Sequence, residues 1–206
     1  MSIVRDTIRA IRMTLVLWVL TAVIYPLVIW RVGQTFFPYQ ANGSLVQNLQ
    51  GQVVGSALIG QPFSSEQYFW SRPSTVDYST AAPKNELNNV LKTGVSGASN
   101  LAPSNPDLLK QVQARADKLQ KAGIQPSADL VYTSGSGLDP HITEEAAYAQ
   151  LSRVARVRGL STDQVSALIA KHTDGRFLGI FGEPGVNVLN LNRDIDVVQA
   201  ARQLKG

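Results

Sequence analysis

From Met13 to Trp30 the chain runs 18 residues without a charge, and only Thr14, Thr21 and Pro26 interrupt its apolar character. The run has no polar face, so it is not the amphipathic helix of a soluble core. About 20 apolar residues in a helix cross a hydrocarbon core ~30 Å thick. Val32, Phe36 and Phe37 extend the run past Arg31, whose long side chain can snorkel to the headgroups. Trp30, Phe36, Phe37 and Tyr39 put aromatic rings near one interface. The pattern predicts a cytoplasmic N-terminus over 1–12, an anchor helix over 13–37 and one further domain over 38–206. A cleaved signal peptide is disfavoured, because large residues rather than small ones follow the run.

Beyond the anchor the pattern changes character. Residues 51–63 read as a strand pair or a strand bent at glycines. A stretch rich in Ser, Asn, Gly and Pro runs from Ser71 to Pro106 and reads as a long loop. Asn105-Pro106-Asp107 then opens a helix whose stripe is Leu109, Val112, Ala116 and Leu119, closed by Gly123. Leu130 to Thr133 read as a short strand. Thr143 caps a helix that has Glu144 and Glu145 in its first turn, arginines in its last and Gly159 beyond. Ser161 and Gln164 form a capping box for a third helix. Phe177–Phe181 and Val186–Leu191 read as two strands about the turn 182–185, and a last helix covers about Arg193 to Leu204. The fold class is α+β: one N-terminal transmembrane helix and one extracytoplasmic α+β domain.

Charge locates rather than identifies. The 206 residues carry a formal net charge of +4, but residues 1–43 alone account for +3 of it. The basicity therefore belongs to the N-terminus and is not a phosphate-binding surface. Arg5, Arg9 and Arg12 precede the apolar run, and after Arg31 no Lys or Arg occurs until Arg72. The positive-inside rule then puts the N-terminus in the cytoplasm and the domain outside. The chain has no cysteine, which excludes disulfides, thiolate metal sites and a cysteine nucleophile.

The densest polar constellation is Ser134-Gly-Ser-Gly-Leu-Asp-Pro-His141. It supplies Ser134 or Ser136, Asp139 and His141 for a hydrolase triad, but three members within eight residues rarely face one another, and the Gly-x-Ser-x-Gly elbow is absent. A dinucleotide fingerprint would need glycine where Pro140 stands. His141 and His172 are the only histidines, and no metal site is expected. Gln150 and Arg153 lie three residues apart on one helix face and could touch a common anion or partner. Tyr68-Phe69-Trp70 reads as part core and part interface anchor.

At these residues the chain resembles a known family, the C subunit of the bacterial high-affinity potassium-transporting P-type ATPase, Kdp. The resemblance rests on Gly60-Gln-Pro-Phe63, Tyr68-Phe-Trp-Ser-Arg-Pro-Ser74, Ser96 to Leu101 with Ser104-Asn-Pro106, Ser134 to Ile142, and Gly182-Glu-Pro184 with Val186-Asn187. It departs locally in a longer loop over 75–95 and in Gly185, where arginine is common. The resemblance implies a non-catalytic subunit in a bacterial inner membrane. Its partners would be a potassium-translocating A subunit, an ATP-hydrolysing B subunit and a small F peptide. It implies a role in raising the ATP affinity of the B subunit, with Gln150 and Arg153 as the nucleotide-contacting pair and no cofactor bound by this chain alone. The charge rule puts that pair outside, away from cytoplasmic ATP. It favours contact with the A subunit through Tyr68, Phe69, Trp70, Ser134, Asp139 and His141. A membrane-anchored binding module or hydrolase unrelated to potassium is the alternative.

Overall fold

The computed structural model describes residues 2–79 and 95–203. The long loop expected from Ser71 to Pro106 is thus seen at its two ends. Residues 80–94, which include most of the 75–95 segment, and Leu204 at the end of the last expected helix lie outside the described residues. The chain divides into two compact units, Met1–Leu45 and Val46–Gly206.

The first unit is built on a continuous helix, Ile3–Phe36, of 34 residues. Its parts are α1 (Ser2–Trp18), a π-helical stretch (Val19–Ile24) and α2 (Tyr25–Phe36), and a short α3 (Pro38–Ala41) follows. At 1.5 Å per residue it is about 51 Å long, more than enough to cross a bilayer. The π stretch ends just before Pro26, which has no N–H to donate and whose ring crowds the preceding turn. The helix widens there, and the Tyr25 N–H donates to the Leu20 carbonyl five residues back. Thr21 and Thr35 donate their hydroxyls to the carbonyls of Leu17 (2.8 Å) and Arg31 (2.7 Å). Both polar side chains are satisfied within the helix, as a lipid surrounding demands.

In the second unit β1 (Leu45–Gln47) pairs with β2 (Val53–Ser56). The Asn48 side chain closes the turn between them by accepting from the N–H groups of Gln50 and Gln52. The helix α4 (Pro106–Lys121) starts where its cap predicts, with the Asn105 side chain accepting from the Asp107 N–H, and Gly123 follows it at φ +72°. The stretch expected as a strand at Leu130–Thr133 is instead a helical turn, α5 (Ala128–Val131). The Ser127 carbonyl accepts from Leu130 and Val131, and the turn aims Asp129 at the Thr143 N–H and at Arg72.

Next come β3 (His141–Ile142), α6 (Glu144–Arg158), α7 (Thr162–Lys171), β4 (Thr173–Asp174), β5 (Gly185–Asn187) and α8 (Val188–Gln203). The caps read from sequence are in place: Thr143 accepts from Ala146, and Ser161 and Gln164 form the reciprocal capping box. The three strands form an antiparallel sheet in the order β3-β5-β4, with Ile142 and Thr173 both opposite Val186. Two expectations fail here. Phe177–Phe181 is not a strand but a tight turn closed by a single bridge between its ends. The apolar run after Asn187 is the start of α8, not a strand continuing to Leu191. The Asn187 side chain accepts from the Asn190 N–H and so caps the helix. Val188, Leu191, Asn192 and Ile195 then fall on its buried face. The core is a single cluster in which Phe69, Trp70, Ile142, Val154, Val165, Ile169, Val186 and Ile195 meet.

Candidate functional site

Residues 65–68 make a turn, in which the Tyr68 N–H donates to the Ser65 carbonyl, and lead Phe69 and Trp70 between α6 and α8; among the described residues no strand pairs with them, although Phe69 is fully buried and Trp70 is only 8% exposed. Buried backbone N–H and C=O groups must find partners. Here side-chain amides supply them. The Asn192 amide accepts from the Phe69 N–H (2.8 Å) and donates to its carbonyl (3.0 Å). The Gln150 amide does the same for Trp70, at 2.8 and 3.1 Å. Each amide stands in for a neighbouring strand.

Two arginines complete the clamp. Arg153 donates to the carbonyls of Glu66 and Tyr68 and to the Gln150 amide oxygen, and its guanidinium lies 4.5 Å from the centre of the Trp70 ring. Burial pushes its pKa down to about 10, with the Glu66 charge opposing. Arg158 donates to the Gln67 carbonyl and pairs with Asp196 at 2.7 Å, stacking over Tyr68, whose hydroxyl also donates to Asp196.

These contacts correct the reading of Gln150 and Arg153 as a pair on one helix face free to touch a common anion or partner. Gln150 is 0% exposed. Its amide donates to Trp70 and Ala146 and accepts from Trp70 and Arg153, which uses all four of its hydrogen-bonding positions. In this arrangement neither Gln150 nor Arg153 presents a group to a nucleotide. Of the stretch read as part core and part interface anchor, Phe69 and Trp70 lie in the core, and Ser134, read as a partner contact, is buried as well.

The second constellation is a cleft of about 260 Å³ whose walls include Arg72, Asp129, Asp139, His141, Asp174 and Glu183. Arg72 bridges Asp129 and Asp139, 2.9 Å from each. Asp139 accepts from the His141 backbone N–H at 3.0 Å and faces its Nδ1, while the ring's Nε2 meets Asp174 at 2.9 Å. Burial would raise the Asp139 carboxyl, but hydrogen bonds from His141 and Arg72 outweigh it and bring it down to about 2. Asp139 pushes the His141 imidazole up from its ordinary value; partial burial opposes this and Asp174 adds to it. Both ring nitrogens face carboxylates, so the ring is not turned toward Ser134 or Ser136 as a triad base would be.

The serines of that turn fasten it instead. Ser134 Oγ accepts from the Gly137 N–H, the Ser134 N–H donates to the Pro73 carbonyl, and Ser74 Oγ donates to the Gly137 carbonyl at 2.7 Å. Gly97 N–H and Ser96 Oγ both donate to the Ser136 carbonyl. Gly137 has φ +69°, and a Cβ on it would stand 2.6 Å from the Gly97 carbonyl oxygen. The two most distinctive motifs of the sequence, 68–74 and 134–142, are thus engaged with each other. Among the described residues no group of three or more His, Asp or Glu is arranged to hold a metal ion.

Sequence reasoning missed Asn192, Arg158 and the Arg72–Asp129 pair. Asn192 left a trace, a polar residue on the apolar face of a helix. It also missed the exposed apolar tip at Phe177–Phe181, which it assigned to a strand.

Comparison with known proteins places the chain in a family. Residues 7–197 match the family described as K+-transporting ATPase, c chain. The chain is 62% identical to the potassium-transporting ATPase KdpC subunit of Microcystis aeruginosa, over 98% of this chain and all of that protein. It is 62% identical to KdpC subunit 1 of a Nostoc species, over 95% and 98% of the two chains, and 49% identical to that of Geobacter sulfurreducens, over 92% and 96%. With an apolar N-terminal helix followed by an α+β domain, and relatives matched from end to end, the chain belongs to the KdpC family of potassium-transporting ATPase subunits.

Proposed function

We propose that this chain is a non-catalytic accessory subunit that assembles and stabilises an ATP-driven potassium uptake pump. It is held by one transmembrane helix in a bacterial inner membrane, with residues 1–12 cytoplasmic and the domain from about residue 38 on the outer face. Its partners are the potassium-translocating, ATP-hydrolysing and small peptide subunits of that pump. The observation that carries this reading is the clamp around residues 66–70. In a chain matched along its length by ATPase subunits, the polar side chains that looked chemical are spent on holding a rigid domain. The arginine asymmetry around the apolar helix supports the orientation. The ATP effect implied by the family resemblance is then indirect: the subunit raises the pump's ATP affinity by stabilising the assembled complex, not by touching nucleotide.

The test is affinity purification of the tagged chain from membranes in mild detergent, with an impermeant protease added to spheroplasts in parallel. The expected result is recovery of a P-type ATPase subunit and a potassium-channel-like subunit, with digestion of the domain from outside. Recovery of the tagged chain alone, or full protection of the domain, overturns the proposal.

A further inference from the structure

The turn between β4 and β5 breaks the rule that the surface of a soluble domain is mixed. Phe177 is 72% exposed, Leu178 73%, Ile180 72% and Phe181 60%. Four neighbouring side chains of this size present roughly 400–500 Å² of apolar surface, as much as the largest patch on a typical monomer. Such surface costs solubility unless something covers it.

The backbone beneath the patch is finished for burial. The N–H groups of Phe177, Gly179, Ile180 and Phe181 all donate within the turn, to the carbonyls of Phe181, Arg176 and Phe177. The tip can leave water without stranding those donors. Gly179 at φ +75° and Leu178 at φ 53° make a tight left-handed corner, and Arg176 closes the base through an ion pair with Glu183 at 3.0 Å. The result is a preformed apolar knob with a neutralised neck.

Three observations choose among occupants. At the base Asp174 meets His141 and Arg176 pairs with Glu183, so no cluster of unpaired cations stands there to hold anionic lipid headgroups. The patch is about half of the ~800 Å² per partner that a free-standing complex buries, too little for two copies of this domain to hold each other. A small contact suffices when the partner is already held against this chain in one complex, as the other pump subunits are in the accessory-subunit reading and a second copy of this chain is not. We infer that Phe177, Leu178, Ile180 and Phe181 insert into a neutral, apolar recess on the extramembrane surface of another subunit of the same pump. This inference rests on the accessory-subunit reading above and names the surface through which it works.

The experiment uses the full chain co-expressed with the other subunits of its pump. A double variant, Phe177→Ser with Ile180→Ser, is compared with Leu109→Ser, an equally exposed apolar side chain (65%) on α4. Loss of a central apolar anchor weakens association about thirty-fold, corresponding to ~2 kcal/mol at 1.4 kcal/mol per decade. The double variant should therefore lose its partners in detergent while its thermal melt stays that of the wild type, and Leu109→Ser should keep them. A photo-crosslinking residue at position 180 should join this chain to a different subunit. Partner recovery unchanged in the double variant overturns the inference. So does crosslinking only to lipid, which would make the tip a membrane anchor, or only to a second copy of this chain. If the wild-type chain recovers no partners at all, the accessory-subunit reading fails first, and a crosslink from position 180 to no other subunit removes the inference with it.

Discussion

Replacing Gln150 tests the clamp most directly, because its side chain carries no charge and touches no solvent. Gln150→Met keeps the approximate volume and removes every hydrogen bond. It leaves the Trp70 N–H and carbonyl buried without their partners, at about 1–3 kcal/mol each, so the expected loss is about 2–6 kcal/mol. Gln150→Ala adds an unfilled space, at ~24 cal/mol per Å³ of residual cavity, and should cost about 1 kcal/mol more. For a domain of this size each kcal/mol lowers the melting temperature by ~2–4 °C, so the Met variant should melt roughly 4–24 °C early. The measurement is urea and thermal unfolding of the full chain in mild detergent. Fluorescence is followed in a Trp18→Phe, Trp30→Phe background, so that Trp70, the remaining tryptophan, is the reporter. A Gln150→Met protein within 0.5 kcal/mol of its parent would refute the reasoning, since it would mean that water or a backbone shift replaces the amide at no cost.

The Ser134–His141 turn gives a paired prediction. Gly137→Ala should cost at least about 2 kcal/mol, from the left-handed backbone and the 2.6 Å approach to Gly97, whereas Gly135→Ala, with nothing within 4 Å, should lie within about 0.5 kcal/mol of wild type; equal melting temperatures for the two would disprove the fastening role. Stability should also follow pH in a defined way. The contribution of His141, whose pKa is raised on folding, is complete below its ordinary 6.5 and is lost as pH rises through the folded value, while that of Asp139 is complete above its ordinary 3.8 and is lost as pH falls through about 2. A melting profile highest between about pH 4 and 6.5 is expected, with a shallower alkaline limb in His141→Asn; an identical limb in the variant would show that His141 does not contribute.

What the sequence made legible was local. Asn105, Thr143, Ser161 with Gln164, and Gly159 announce helix ends through hydrogen bonds made within a few residues, and the apolar run before Arg31 announces the anchor by length alone. Gln150 and Asn192 were not legible, because their partners lie 80 and 123 residues away. A polar residue on a helix looks the same whether it meets water or a buried backbone. Leu130–Val131 and Val188–Leu191 misled for a related reason. A short apolar run fits one turn of helix or a strand equally well, and Asp129 and Asn187 decide the matter through tertiary and capping contacts. The Phe177–Phe181 turn was read as a strand because exposed apolar residues are not the expectation for a loop.

The clamp also sets an order of events during synthesis. Phe69 and Trp70 leave the ribosome before either of the amides that fix them, and Asn192 follows Phe69 by 123 residues. At ~5–20 residues per second that interval is roughly 6–25 s. Throughout it, an apolar segment tethered close to an already inserted helix has no interior to enter. The N-terminal part of the domain is thus made first and fastened last. Truncation before α8 removes the Asn192 amide that holds Phe69, so a nascent or shortened chain leaves that apolar segment open to the chaperones and proteases of the compartment where it emerges.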